Sequence, residues 1–185
     1  MFMLKSLVIA LASIGSVALA KPSTRLIQKR DVSSIVANLA ELTTAVSWNV
    51  GNISAYQGGL DGAILFPLIT ASNLVDTVLH TTTIDIVAHA SFSEDDSQTL
   101  ISTLTPLVSL LKTTLETLNA KQSLFRAANI HGIVLDSIKK HSAAEDLVYV
   151  KLIEKATLGT QNTFQSLRVE LETIYNVVVA AYSAV

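Results

Sequence analysis

Thr160–Val185 reads TQNTFQSLRVELETIYNVVVAAYSAV, and within it Phe164, Leu167, Leu171, Ile174, Val178 and Ala181 recur at spacings of 3, 4, 3, 4 and 3. That period matches one face of an α-helix, with 3.6 residues per turn, and no strand produces it. The same period recurs upstream. Val32, Ile35, Leu39, Leu42, Val46, Ile53 and Tyr56 form a first stripe, with Asn49 in a slot that a hydrophobe would otherwise fill. Paired glycines in Gln57-Gly58-Gly59 predict its stop. A second segment, about Leu60–Ala90, carries Ile64, Leu68, Ala71, Val75, Val78, Thr82 and Ile86. Its β-branched run Thr81-Thr82-Thr83-Ile84 predicts a fray or bend.

Ser93-Glu94-Asp95-Asp96 then reads as an N-cap followed by acids in a first turn, where the helix dipole favours them. The third stripe is Leu100, Leu104, Leu107, Leu111, Leu115 and Leu118. A fourth segment is expected over roughly Ile130–Leu158, with Gly159-Thr160 marking its end. Sustained polar–apolar alternation is missing throughout, which disfavours strands. The fold class is therefore all-α, an antiparallel bundle of about five amphipathic helices burying five stripes. The chain has no cysteine, so no disulfide supports it.

Composition adds an address. Among 185 residues, 50% are hydrophobic and only 15% charged. Lys5 precedes the apolar run Leu7–Leu19, which closes on Ala18-Leu19-Ala20. A basic start, a short apolar core and a small-residue cleavage site predict a secretory signal peptide over residues 1–20 with cleavage after Ala20. Residues 21–30 read as a pro-segment ending in a Lys29-Arg30 processing site, which leaves 31–185 as a single domain. Without the five basic residues of the first 30, eight basic side chains face 15 acidic ones, a net charge of −7. That charge argues against nucleic acid and anionic membranes as partners. The apolar run is too short for a comfortable membrane span, so no transmembrane segment is expected. Val177–Val185 is apolar but short and lacks a polar spacer, so free secretion is expected over a glycolipid anchor.

Catalytic signatures are missing. His80, His89, His131 and His141 form no metal-ligand spacing. His80 and His89 fall on opposite sides of a helix at about 100° per residue. No Gly-x-Ser-x-Gly elbow and no phosphate-binding glycine loop occurs. The paired acids sit at helix starts or on polar faces, where solvation explains them. We expect no enzyme, no metal and no cofactor. Asn52-Ile53-Ser54 is the sole N-glycosylation sequon of the mature chain. Pro67 and Pro106 lie inside helical segments, where each kinks the helix or removes a backbone hydrogen bond. Kinked helices with aliphatic walls leave room for an apolar void, although close packing is the default for native interiors.

The order of short motifs resembles one fungal family. Ala55-Tyr-Gln-Gly-Gly-Leu60, the Ser93-Glu-Asp-Asp96 helix start, Leu118-Asn-Ala-Lys-Gln-Ser-Leu-Phe125 and Val179-Ala-Ala-Tyr-Ser183 follow the signal peptide and Lys-Arg site. The sequence thereby resembles hydrophobic surface binding protein A and cell wall galactomannoprotein domains over essentially all of residues 31–185. The resemblance implies a helical bundle and an extracellular protein, free or cell wall associated. It also implies one of two partners. Some members enclose fatty acids in the bundle. Others adsorb to hydrophobic surfaces and recruit a secreted hydrolase that degrades polyester.

Both readings have a physical basis here. A lipid with about 14 methylenes gains roughly 11 kcal/mol gross on burial, against an association cost of about 4–15 kcal/mol. Binding then needs a preformed cavity and a satisfied head group. Asn49, Gln57, Ser72 and His141 are the candidate lipid-binding residues beside the stripes. Adsorption instead needs apolar surface left over. Ile69, Leu74, Leu79, Ile101, Val108 and Leu110 are extra apolar residues on the second and third segments, open to either use. A solid bundle without ligand is the third reading.

Overall fold

The computed structural model describes residues 32–184. The proposed signal peptide, Ala20, Lys29 and Arg30 lie outside the described residues. Five long helices and one short one follow each other: α1 Val32–Ala55, α2 Gly62–Ala88, α3 Glu94–Ala120, α4 Gln122–Ala127, α5 His131–Lys155 and α6 Leu158–Ser183. No strand occurs among the described residues.

The α1 and α3 stripes are buried where the sequence puts them, while Ile64 at the start of the second stripe is exposed. In α1, Ile35, Leu39, Leu42, Val46, Asn49 and Ile53 are all buried. Gly58 and Gly59, at φ 99° and 92°, turn the chain after it in a conformation that side chains resist. Tyr56 pins this turn. Its hydroxyl donates to the Gly59 carbonyl (3.0 Å), and its ring stacks on Phe125 with centroids 4.6 Å apart. Lys121 Nζ donates to the Tyr56 carbonyl (2.9 Å), tying the ends of α1 and α3 together. Asp61 then opens α2 by accepting the Ala63 N–H (2.9 Å).

The long helices form a closed ring. α1 packs on α2 and α3, α3 on α6, α6 on α5, and α5 back on α2. Successive helices alternate in direction, as Asn38 near the start of α1 bonds Asp85 near the end of α2. Neighbours that are distant in sequence run parallel. Tyr182 donates to the Leu118 carbonyl (2.7 Å) at the shared C-terminal end of α6 and α3, and Phe92, just past α2, donates its N–H to Lys155 at the end of α5 (2.8 Å). Short α4 closes one end, beside α3 and α5.

Local details depart from the sequence expectations in three places. α2 runs unbroken through its β-branched run, where Thr81, Thr82 and Thr83 each donate a hydroxyl to the carbonyl four residues back. The turn before the last helix falls at Ala156-Thr157, which leaves Gly159 and Thr160 inside the first turn of α6. α4 has too few residues to show a period, and Asn129, at φ 57°, supplies the left-handed turn after it. Pro106 lies on the exposed face of α3 and, as expected, offers no N–H to the helix ladder.

The extra apolar residues divide. Leu79 and Val108 are buried, and Leu74, Ile101 and Leu110 pack on the core from its edge. Ile69 stays exposed. Fold and core leave that residue unexplained.

Candidate functional site

α1, α2 and α5 line an apolar cavity, half open to solvent, at the α4 end of the ring, with a volume of ≈ 350 Å³. This lies at the small end of the roughly 300–1,000 Å³ of ligand pockets. Its walls are Ile53 from α1, Leu65, Leu68 and Ile69 from α2, and Ile133, Val134 and Ile138 from α5. Leu118 and Phe125 complete it from α3 and α4. The alternation of helix direction brings the N-terminal halves of α2 and α5 side by side, and their stripes meet here.

One end of the cavity is polar. Ser72 Oγ and Ser137 Oγ are 2.7 Å apart, linking α2 to α5. His141 Nε2 lies 3.2 Å from the Ser72 carbonyl, 3.4 Å from Ser72 Oγ and 3.3 Å from Asp76 Oδ1. A carbonyl only accepts, so Nε2 carries the imidazole proton. Burial holds the His141 imidazole below the usual histidine range, against the opposing pull of Asp76. Lys140 forms an ion pair with Asp76 Oδ2. Asp76 Oδ1 is buried and has no hydrogen bond, although it lies within ion-pair distance of His141.

Three of the four sequence candidates meet at this cavity. Asn49, Ser72 and His141 line it, and Asn49 is buried at the point where a hydrophobe is missing from the α1 stripe. Gln57 does not join them. It is exposed in the α1–α2 turn and outside the cavity lining, because the helix ends before its side chain turns inward. Asp76, Asp136, Ser137 and Lys140 belong to the lining and carry no mark in the sequence. A faint signal exists for Ser137, four residues before His141 and so on the same helix face. Using it requires knowing that α5 faces α2.

Two smaller features complete the interior. A central void of ≈ 20 Å³ receives residues from all five long helices, among them Asn49, Thr114, His141, Glu145 and Tyr175. A more polar groove of ≈ 370 Å³ lies between α5 and α6, where Arg168 holds Asp146 through two hydrogen bonds (2.6 and 3.2 Å). Among the described residues no group of three or more His, Cys, Asp or Glu is placed to hold a metal ion. Asn52 lies on α1, but its side-chain Nδ2 is buried without a hydrogen-bond partner, so a glycan there requires the side chain to swing outward.

Residues 30–147 match the family profile described as hydrophobic surface binding protein A. The match covers more than half of the chain. This chain belongs to the hydrophobic surface binding protein A family. Solved structures share the fold at low identity. One is AFMP4P in complex with palmitic acid, at TM-score 0.79 and 18% identity, covering 82% of this chain and 99% of that one. A second is ligand binding domain 1 of the Penicillium marneffei MP1 protein complexed with arachidonic acids, at TM-score 0.76 and 18% identity over 83% and 99% of the two chains. Ligand binding domain 2 of the same protein, complexed with multiple arachidonic acids, aligns at TM-score 0.77 and 15% identity over 85% and 99%. A comparison with curated protein sequences finds no match.

Proposed function

We propose that this protein is a secreted lipid carrier that takes one long acyl chain, such as that of a fatty acid, into the cavity between α1, α2 and α5. The single observation that carries the reading is the cavity itself, a half-open aliphatic cleft with one polar end built from Ser72, Ser137, Asn49 and His141. A cleft walled by Leu65, Leu68, Val134 and Ile138 and open at one side leaves apolar surface that an acyl chain would cover. The fatty acids bound by the structural neighbours support the same reading. Secretion is supported by the Leu7–Leu19 apolar run and the Lys29-Arg30 pair. No catalytic role is proposed.

A second reading is favoured by the surface around the mouth. Leu60 in the α1–α2 turn, Ile64, Phe66 and Ile69 on the start of α2 and Ile133 on α5 are exposed, Phe66 at 70% and Ile133 at 65%. α2 is apolar and long enough to cross a membrane, yet only 22% of its most apolar stretch is buried. Such a rim fits contact with a hydrophobic surface, from which a lipid is taken up or on which the protein adsorbs. Recruitment of a hydrolase or attachment to the cell wall would build on that contact.

Native mass spectrometry of the secreted protein, purified without detergent, tests the carrier reading. Bound mass released on denaturation and identified as long-chain lipid is the expected result. A clean apo mass that persists after incubation with such lipids would overturn it. The same spectrum reports whether Asn52 carries sugar.

A further inference from the structure

The polar end of the cavity is poor in positive charge. Of its lining residues, only Lys140 and His141 are basic, against Asp76 and Asp136. Lys140 is committed to Asp76. The proton on His141 Nε2 faces the Ser72 carbonyl and Asp76. A carboxylate placed here meets no cation that is not already facing Asp76, and the Asp76 and Asp136 charges oppose it.

Acceptors, by contrast, are waiting. Asp76 Oδ1 is buried, makes no regular hydrogen bond and faces the His141 Nε2 proton at 3.3 Å, so it keeps acceptor capacity for a further donor. The Ser72–Ser137 pair shares one hydroxyl hydrogen internally, which leaves a second to donate and lone pairs to accept. Asn49 adds an amide, able to accept and donate. The set matches a group that both donates and accepts through O–H. An anion can only accept.

Resting on the carrier reading above, we propose that the cavity selects single-chain lipids with an uncharged, hydroxyl-bearing head over fatty-acid carboxylates. A fatty alcohol, a monoacylglycerol and a protonated fatty acid share this chemistry. The charged and titratable groups facing the head-group position are Asp76 from α2 and Asp136, Lys140, His141 and Glu145 from α5, with Tyr175 of α6 behind Glu145. α1 and α3 contribute none to the lining of either void.

The test compares dodecanol and monolauroylglycerol with dodecanoate at pH 7.5, each below its aggregation concentration, as competitors of a fluorescent fatty-alcohol probe on the full secreted protein. Equal chain length holds the apolar gain nearly constant. The two uncharged lipids should bind at least about tenfold more tightly than dodecanoate. Asp76→Asn, which removes the nearest negative charge, should narrow that gap by strengthening dodecanoate. Dodecanoate binding as tightly as the alcohol to the unaltered protein would overturn the head-group inference and leave the carrier reading standing. Failure of all three lipids and the probe to bind would remove both.

Discussion

Tyr175 on α6 donates its hydroxyl to Glu145 Oε1 on α5 at 2.8 Å, while Glu145 Oε2 has no partner in the buried interior. Burial pushes the Glu145 carboxyl up to about 8, with the Tyr175 bond opposing. Glu145 is therefore protonated in the folded protein at neutral pH and ionised in the unfolded chain. The folded state binds more protons, so stability falls as pH rises from the ordinary carboxylate range towards 8. His141 acts the other way, since its lowered pKa removes stability as pH falls below the usual histidine value of 6.5. Between pH 6.5 and 8 the Glu145 effect stands alone of the two. Melting temperature should drop across that window, and Glu145→Gln should flatten the slope. A wild-type melting temperature that is level or rises from pH 6.5 to 8 would contradict this.

Filling the cavity should remove its ligand without removing the fold. Val134 is half-buried and lines the cavity, so Val134→Phe places an aromatic ring in space that is open. Lipid affinity should fall at least about tenfold while stability changes by less than the roughly 1–3 kcal/mol typical of overpacking. Calorimetric titration and thermal melts read the two quantities separately. Unchanged lipid affinity would place the lipid elsewhere.

Adsorption should depend on the rim. Phe66 and Ile133 are highly exposed, so Phe66→Ser with Ile133→Ser should shift stability by no more than about 0.5 kcal/mol per site. Retention on a hydrophobic resin or polyester film should fall clearly. Equal retention of the double variant would show that the rim is not the adsorbing surface.

Ser93 and Asp96 cap α3 reciprocally, each side chain accepting the other's backbone N–H at 3.1 Å. Ser93→Ala should cost about 1 kcal/mol in denaturant unfolding. A loss below a few tenths would mean the cap adds nothing beyond solvent.

That cap was legible in the sequence, because its chemistry is local. So were the stripes of α1 and α3, whose apolar spacing alone determines the buried face. In α6 the buried seam turned slightly, taking in Tyr175 and Tyr182 and leaving Leu167 and Ile174 at the edge. Each tyrosine is tolerated inside because its hydroxyl finds an acceptor on a neighbouring helix, a fact no single-helix pattern contains. The same reason limits the site. Asn49 stood out as a polar residue on an apolar stripe, and Ser72 and His141 lie beside theirs. Ser137, Asp76 and Lys140 matter only because α2 and α5, over sixty residues apart in sequence at Ser72 and Ser137, are parallel neighbours. Gln57 falls outside the lining because a turn residue beside a stripe has no fixed direction until the turn is known.

The most direct test of the account places the lipid itself. A long-chain lipid carrying a nitroxide near the end of its chain would be titrated into methyl-labelled protein and followed by nuclear magnetic resonance. The account predicts that methyl signals of Leu68, Val134 and Ile138, all lining the cavity, broaden first and saturably. Broadening confined to exposed methyls such as those of Leu158 and Val177, or to Leu171 in the α5–α6 groove, would contradict it.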